Sequence, residues 1–170
     1  MGVLKYKKTL YSLQAHAIIK LKEDLKMLPK ELMDFMRSVG VFPVVLTTTD
    51  KNGELHATFI TWVYPVDDKT LRLALSSNAK SAKNMQETGK VAIMVFSANT
   101  ALALYGNPKL ILERIEEVKF PVSVFEVSIQ KVEDALFPGG TVVGTIPFMH
   151  TGNLQKAGEL DELALSALRG

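Results

Sequence analysis

The chain has 170 residues, of which 47% are apolar and 22% are charged, and its formal net charge is +2. This composition predicts one globular domain with a full core and excludes a disordered chain. The small net charge, without a basic stripe that alternates with aromatic residues, argues against a nucleic-acid partner. The absence of cysteine excludes disulfides, thiolate metal sites and a cysteine nucleophile. Without an apolar run of membrane-spanning length or a signal peptide, a cytoplasmic protein is expected.

Two helices are predicted before the first strand. Leucine and alanine recur every three or four residues over 10–28, which gives a helix one apolar face. Pro29 suits the first position of a second helix, because its missing N–H costs nothing there, and Gly40 suits the end of that helix. The two form a helical extension over about residues 9–39. The expected buried side of the second helix consists of Leu32, Phe35, Met36 and Val39.

The middle of the chain predicts antiparallel strands joined by short turns. The Asn-Gly pair within 50–53 is the strongest hairpin signal in the sequence. A strand over 101–115 is expected to bend or bulge near Gly106, since Gly and Pro weaken a central ladder position. A short helix over about 78–88, ended by Gly89, interrupts the strands. The six predicted strands cover residues 42–49, 55–66, 70–75, 91–98, 101–115 and 122–132.

The end of the chain predicts a loop and a helix. Residues 137–152 are rich in Gly, Pro and Thr, which is typical of a loop, and 154–168 carry apolar residues on one helical side. Six mostly antiparallel strands, with helices at both ends and one inserted, indicate a mainly β (α+β) fold. We therefore expect a small barrel over about 40–133 within one domain, 1–170.

The most informative charge pattern lies in residues 71–96, LRLALSSNAKSAKNMQETGKVAIMVF. Lys80 and Lys83 fall in the first turns of the short helix, where the macrodipole favours acidic residues instead. Two cations and the Ser81 hydroxyl beside unpaired N–H groups are typical of an anion site, and phosphate is the usual occupant. Alternatively, both lysines are solvated surface residues, because this mismatch costs only about 0.3 kcal/mol at an exposed position.

Other signals for chemistry are weak. The three histidines, His16, His56 and His150, lack zinc-like spacing, so no metal site is predicted. A Ser-His-Asp arrangement stays open because triads are recognised by geometry, but no nucleophile elbow is present, and no residue is assigned as catalytic. The strand segment 58–62 contains the single tryptophan, a core or interface residue in most proteins. Alternatively, its backbone groups and hydroxyls face a planar ligand.

The order of these segments resembles the FMN-binding split β-barrel family, which contains the pyridoxamine 5′-phosphate oxidases, and above all its small bacterial FMN-binding proteins. The resemblance rests on VVLTTTDKNGELHATFITWV, DDKTLRLALSSNAKSAKNM and GKVAIMVF and covers about residues 28–129. In those proteins a Lys-Thr pair opens the short helix, and Lys80-Ser81 takes its place here. The resemblance implies a six-stranded antiparallel split β-barrel with flanking N- and C-terminal helices, and a homodimer with FMN at the subunit interface.

The resemblance also implies roles for individual residues. Lys80 and Ser81 would hold the FMN phosphate at the helix start, with Asn84 behind them. The flavin and its ribityl chain would lie along strand residues 58–62, and the serines that precede the helix would reach the ring edge. The implied cofactor-binding residues are Thr58, Phe59, Ile60, Thr61, Trp62, Ser76, Ser77, Lys80, Ser81 and Asn84.

The sequence leaves three functions open. The first is an FMN flavoprotein that acts as an oxidoreductase or electron-transfer protein on an unknown substrate. Its C-terminus, ELDELALSALRG, lacks the basic, Trp-containing segment of true pyridoxamine phosphate oxidases, so that activity is not expected. The second is the same fold with a deazaflavin or haem, or with a flavin that is stored without turnover. The third is a non-catalytic dimeric interaction module whose lysines are merely solvated.

Overall fold

The computed structural model describes residues 27–170, and the helix predicted over 10–28 therefore lies outside the described residues except for its last two positions. The described part contains three helices and one antiparallel sheet of seven strands. The elements are α1 (Lys30–Val39), β1 (Val44–Thr49), β2 (Leu55–Ile60), β3 (Val63–Asp67), β4 (Thr70–Ser76), α2 (Lys80–Thr88), β5 (Val91–Ser97), β6 (Thr100–Leu112), β7 (Val122–Asp134) and α3 (Leu154–Arg169).

The prediction of six strands is wrong because residues 55–66 form two strands, β2 and β3. These strands lie at opposite edges of the sheet, whose order is β2-β1-β5-β6-β7-β4-β3. Two residues make the crossing between the edges. The Thr61 carbonyl accepts a hydrogen bond from the Phe42 N–H (2.9 Å), and the Trp62 carbonyl accepts one from the Ala74 N–H (3.0 Å). This Thr61–Trp62 crossing closes the sheet into a barrel.

Helix α1 covers one part of the barrel core, with a buried side that differs from the predicted one. Leu32 and Met36 are buried as expected, and Met33 joins them. Phe35 and Val39 are instead 40% and 45% exposed. The helix therefore presents a stripe that is rotated toward Met33, and its Phe35 ring meets the edge of the fully buried Phe42 ring at 6.0 Å. The predicted end at Gly40 is confirmed, with φ at 73°.

The predicted irregularity in the long strand β6 is confirmed. The pairing of β6 with β7 shifts register between Tyr105 and Gly106. A Cβ atom placed on Gly106 would lie 2.7 Å from both the Ser128 carbonyl oxygen and Val127 Cγ1. The two strands thus approach each other more closely here than any residue with a side chain permits.

Helix α3 packs on β3 and β4 and confirms the helix predicted at 154–168. Its apolar side forms a second core cluster with β4 and β7, which includes Leu165, Leu168 and Val124. The Asn153 side chain caps its N-terminus by accepting a hydrogen bond from the Lys156 N–H (2.9 Å). At its other end, the Arg72 guanidinium donates to the Leu168 carbonyl (3.2 Å). Within residues 27–170, no helix combines the length and apolar character that a membrane span requires.

Candidate anion and cofactor site

Helix α2 begins without the groups that usually cap a helix N-terminus. The chain leaves β4 at Ser76, turns through a bond from the Ala79 N–H to the Ser76 carbonyl (3.0 Å), and enters the helix at Lys80. Ala79 occupies the N-cap position with extended backbone, and no side chain of the described residues caps this end. The first turn also contains no acidic residue. The first N–H groups of α2 therefore lack the acceptor that a Ser or Asp cap supplies.

Ser81 carries an unpaired hydroxyl at this helix start. Its side chain is fully buried, and within the described residues its Oγ has no hydrogen-bond partner. An unsatisfied buried polar group costs about 1–3 kcal/mol, so native proteins rarely keep one without a reason. Ser81 therefore brings a buried hydroxyl without a partner among the described residues to the start of α2.

Lys80 adds a positive charge to the same helix end. Its side chain is 48% exposed, and its Nζ lies 4.0 Å from Oε2 of Glu54, a residue of the β1–β2 turn that is itself largely exposed. Solvated ion pairs of this kind contribute at most about 1 kcal/mol. The Glu54 carboxylate is therefore a weak competitor, and the Lys80 ammonium stays available to a stronger anion. Lys83, one turn further along α2, is exposed.

Asn84 has a partner within the protein. It is 2% exposed, and its Nδ2 donates to the Oγ1 of the equally buried Thr48 (3.0 Å). This buried hydrogen bond joins α2 to β1. It gives the Asn84 amide a partner within the protein, so its burial does not require a ligand. The role of Asn84 toward a phosphate stays a prediction, and Thr48 was missed because nothing in its local sequence separates it from its threonine neighbours.

The other predicted residues divide into two groups. Helix α2, which carries Lys80 and Ser81, contacts β2, the strand that contains Thr58, Phe59 and Ile60. Ser76 ends β4 and Ser77 begins the turn before that helix, where Ser77 Oγ lies 2.6 Å from Ser123 Oγ. Thr61 and Trp62 lie beyond β2 in the crossing between the sheet edges.

Trp62 belongs to a polar cluster under α3, which we call the Trp62–Asp161–His150 cluster. Trp62 Nε1 donates to Asp161 Oδ1 (2.8 Å), and Asp161 Oδ2 lies 2.6 Å from His150 Nε2. Asp161 is buried, whereas His150 is about one-third exposed. Sequence reasoning missed His150 and Asp161 as partners of Trp62, because the tryptophan and the aspartate lie 99 residues apart.

Replacing Asp161 by alanine is expected to lower the free energy of unfolding by about 1–2 kcal/mol, because the Trp62 N–H and His150 lose their buried acceptor. Urea denaturation measures this change. The control is Glu162→Ala, since Glu162 is the next residue on α3 and makes only an exposed ion pair of 4.0 Å with Arg169. Equal stability of the two variants would show that the cluster does not fasten α3.

The family follows from a comparison with protein-family models. The model described as pyridoxamine 5′-phosphate oxidase matches residues 28–135, which include the whole sheet and α2. The chain belongs to the pyridoxamine 5′-phosphate oxidase family. A search of curated proteins finds no match. The loop at 136–153 and helix α3 lie beyond the part of the chain that this family model covers.

Solved structures share the fold of this pyridoxamine 5′-phosphate oxidase family member at low identity. HupZ from Group A Streptococcus matches with a TM-score of 0.54 and 15% identity, over 69% of this chain and 100% of that chain. A protein from Lactobacillus delbrueckii, described as a candidate pyridoxamine 5′-phosphate oxidase, matches with a TM-score of 0.53 and 17% identity, over 63% of this chain and 93% of that chain. An FMN-binding protein from Syntrophomonas wolfei matches with a TM-score of 0.49 and 18% identity, over 76% and 98%.

Two other structures that are similar to this chain have names that mention different ligands. An F420 reductase matches with a TM-score of 0.46 and 14% identity, over 54% of this chain and 89% of that chain. HutZ, the heme storage protein from Vibrio cholerae, matches with a TM-score of 0.49 and 14% identity, over 63% and 94%. Neither name assigns a ligand to this chain.

Proposed function

We propose that the protein is an FMN-binding flavoprotein that transfers electrons or hydride, and that it works as a homodimer. The start of α2 carries this proposal. It combines uncapped N–H groups, the Lys80 ammonium and the orphaned Ser81 hydroxyl, with no acidic side chain in the first turn. All of these groups suit a phosphate, because helix N-termini and cations both stabilise anions. The residues present therefore fit the phosphate end of FMN.

The chain's own residues would bind and orient the cofactor. Lys80 would supply charge to the phosphate, and the first N–H groups of α2 would donate hydrogen bonds to its oxygens. Ser81 would gain a partner for its hydroxyl, and strand β2 would border the flavin along Thr58, Phe59 and Ile60. The redox chemistry itself would come from the flavin ring. No side chain is assigned to proton transfer.

The outer face of β2 supports the proposed dimer. Leu55 and Phe59 alternate along this edge strand and are 75% and 46% exposed, and Ala57 between them is also exposed. A row of apolar side chains on a sheet edge is typical of a protein interface. A second copy on this face would cover the strand that borders the proposed cofactor, in agreement with a site between subunits.

The residues bear differently on the two alternative ligands, a deazaflavin and haem. A deazaflavin shares the need for an anion site, so α2 does not separate it from FMN. Haem needs an axial ligand, and the described histidines are His56 and His150. The Nε2 of His150 contacts Asp161, so only its Nδ1 is open to a metal. FMN is favoured over haem because its phosphate would use the groups that the fold leaves unpaired at α2, and mass spectrometry of the released ligand separates it from a deazaflavin.

The test is to identify the molecule that the native protein carries. We expect yellow protein whose ligand, released by denaturation and analysed by mass spectrometry, is FMN with about one molecule per subunit. A released deazaflavin or haem would replace FMN in the proposal. Colourless protein that takes up no FMN at micromolar concentration would refute flavin binding and favour the non-catalytic module.

A further inference from the structure

A cleft of about 420 Å³ lies between the start of β1, the loop before α3, and α3 itself. Its lining is mixed: the apolar residues include Pro43, Pro147, Phe148 and Met149, and the polar residues are Thr145, His150 and Asp161. This volume suits a small organic molecule, and a lining that combines apolar side chains with fixed polar groups is typical of ligand sites. Most of the lining comes from residues 145–150 and α3, beyond the segment that the family model matches.

The hydrogen bonds of Asp161 fix the tautomer of His150. Both carboxylate oxygens of Asp161 are engaged, one by Trp62 Nε1 and one by His150 Nε2. An ionised carboxylate only accepts hydrogen bonds, so His150 Nε2 must carry the hydrogen. In the neutral ring, Nδ1 is then an acceptor with a free lone pair. Within residues 27–170, no hydrogen bond to this Nδ1 is present.

We propose that this cleft binds a phenol, a small aromatic molecule whose hydroxyl donates a hydrogen bond to His150 Nδ1. The lining is matched by a ligand that has an apolar body for the apolar side chains and one hydrogen-bond donor for the acceptor that the His150 ring offers. An aromatic ring suits Phe148 and Met149, since rings and thioether sulfurs both make favourable contacts with rings. An anionic ligand is disfavoured, because the Asp161 carboxylate lines the same cleft.

The cleft is separate from the anion site, but it adjoins β2, the strand that would border the flavin. Neither Lys80 nor Ser81 lines it, so binding there is independent of the phosphate contacts at α2. The Phe148 ring lies 5.0 Å from the His150 ring and 6.0 Å from the Phe59 ring of β2. A ligand against Phe148 is thus one aromatic side chain away from the strand that would border the flavin.

The experiment is calorimetric titration of the purified full-length protein, with whatever cofactor it carries, using p-cresol and its methyl ether. The ether has nearly the same shape but cannot donate a hydrogen bond. We expect p-cresol to bind about tenfold more tightly than the ether, which is the effect of one hydrogen bond in an apolar site. Equal affinities, or no binding of p-cresol at millimolar concentration, would overturn the proposal.

Two variants test the named atoms. His150→Phe keeps an aromatic ring but removes the acceptor, and it is expected to lower the affinity for p-cresol to that for the ether. The matched control is His56→Phe, because His56 lies on β2 and does not line the cleft. It is expected to leave p-cresol binding unchanged. If His150→Phe binds p-cresol as tightly as the native protein, the hydroxyl does not bind at His150.

Asp161→Asn tests whether Asp161 positions His150 by setting its tautomer. The asparagine amide can accept from Trp62 and donate to His150 Nε2, which forces the hydrogen onto Nδ1. We expect the preference for p-cresol over the ether to disappear. The imidazole nitrogen NMR shifts of His150 should report the Nε2–H form in the native protein and the Nδ1–H form in the variant. A native protein in the Nδ1–H form would refute the assignment.

Discussion

Replacing Lys80 by glutamate is expected to weaken FMN binding about 100-fold, a loss of about 2.7 kcal/mol. The substitution exchanges an attractive charge for a repulsive one at the end of α2 where the phosphate is proposed to bind, and like charges in contact cost several kcal/mol. The 48% exposure of Lys80 keeps the expected loss in the lower part of that range. Titration of cofactor-free protein with FMN, followed by flavin fluorescence, gives the two dissociation constants.

The same substitution should not destabilise the protein. A glutamate in the first turn of α2 interacts favourably with the helix macrodipole by about 0.3–1 kcal/mol, and its repulsion from the exposed Glu54 offsets part of that gain. Loss of binding would thus occur in a protein that is fully folded, as far-ultraviolet circular dichroism and urea denaturation can establish.

Lys83→Glu is the matched control for Lys80→Glu. It makes the same change in charge on the same helix, at an exposed residue one turn further from the N-terminus. Screening by water and salt should limit its effect on FMN affinity to about threefold. Equal losses in the two variants would indicate a general effect of charge, and no loss in Lys80→Glu would place the phosphate elsewhere.

Replacing Gly106 by alanine is expected to lower the free energy of unfolding by about 3 kcal/mol, at the upper end of what overpacking usually costs. The added Cβ would lie 2.7 Å from a backbone oxygen of β7 and from Val127 Cγ1. A backbone atom in the middle of a sheet cannot move aside as a flexible side chain can, so the β6–β7 ladder itself must open. Urea denaturation gives the change.

Gly158→Ala provides the opposite case. Gly158 lies inside α3, and a Cβ there would have no atom within 4 Å. Because glycine is a poor helix former, the alanine variant is expected to be more stable by about 0.5–1 kcal/mol. Should Gly106→Ala also leave stability unchanged or raise it, the close approach of β6 and β7 would not be a constraint on the fold.

Much of the fold could be predicted because its signals are local. The Asn-Gly turn, the stop at Gly40 and the bulge near Gly106 each depend on the backbone preferences of one or two residues. The split of residues 55–66 into two strands could not be predicted. No Gly or Pro marks the break at Thr61–Trp62, and it depends on hydrogen bonds to Phe42 and Ala74, which are distant in the sequence.

The same distinction between local and long-range interactions holds for the candidate site. The charge pattern at the start of α2 is visible in the sequence, because a helix and its first turn involve neighbouring residues. The partners of Asn84 and Trp62 are not visible, since each lies on another element of the fold. For that reason His150 had no assigned role until the structure placed it beside Asp161.

The Thr61–Trp62 crossing couples the two margins of the sheet mechanically. Only two residues separate β2 from β3, and the carbonyl of each accepts a hydrogen bond from a different side of the sheet. Thermal opening of one side therefore pulls directly on the other. Neither edge of the sheet can therefore open independently of the other. The slowly exchanging amides should belong to one cooperative unit that reaches from Phe42 to Ala74.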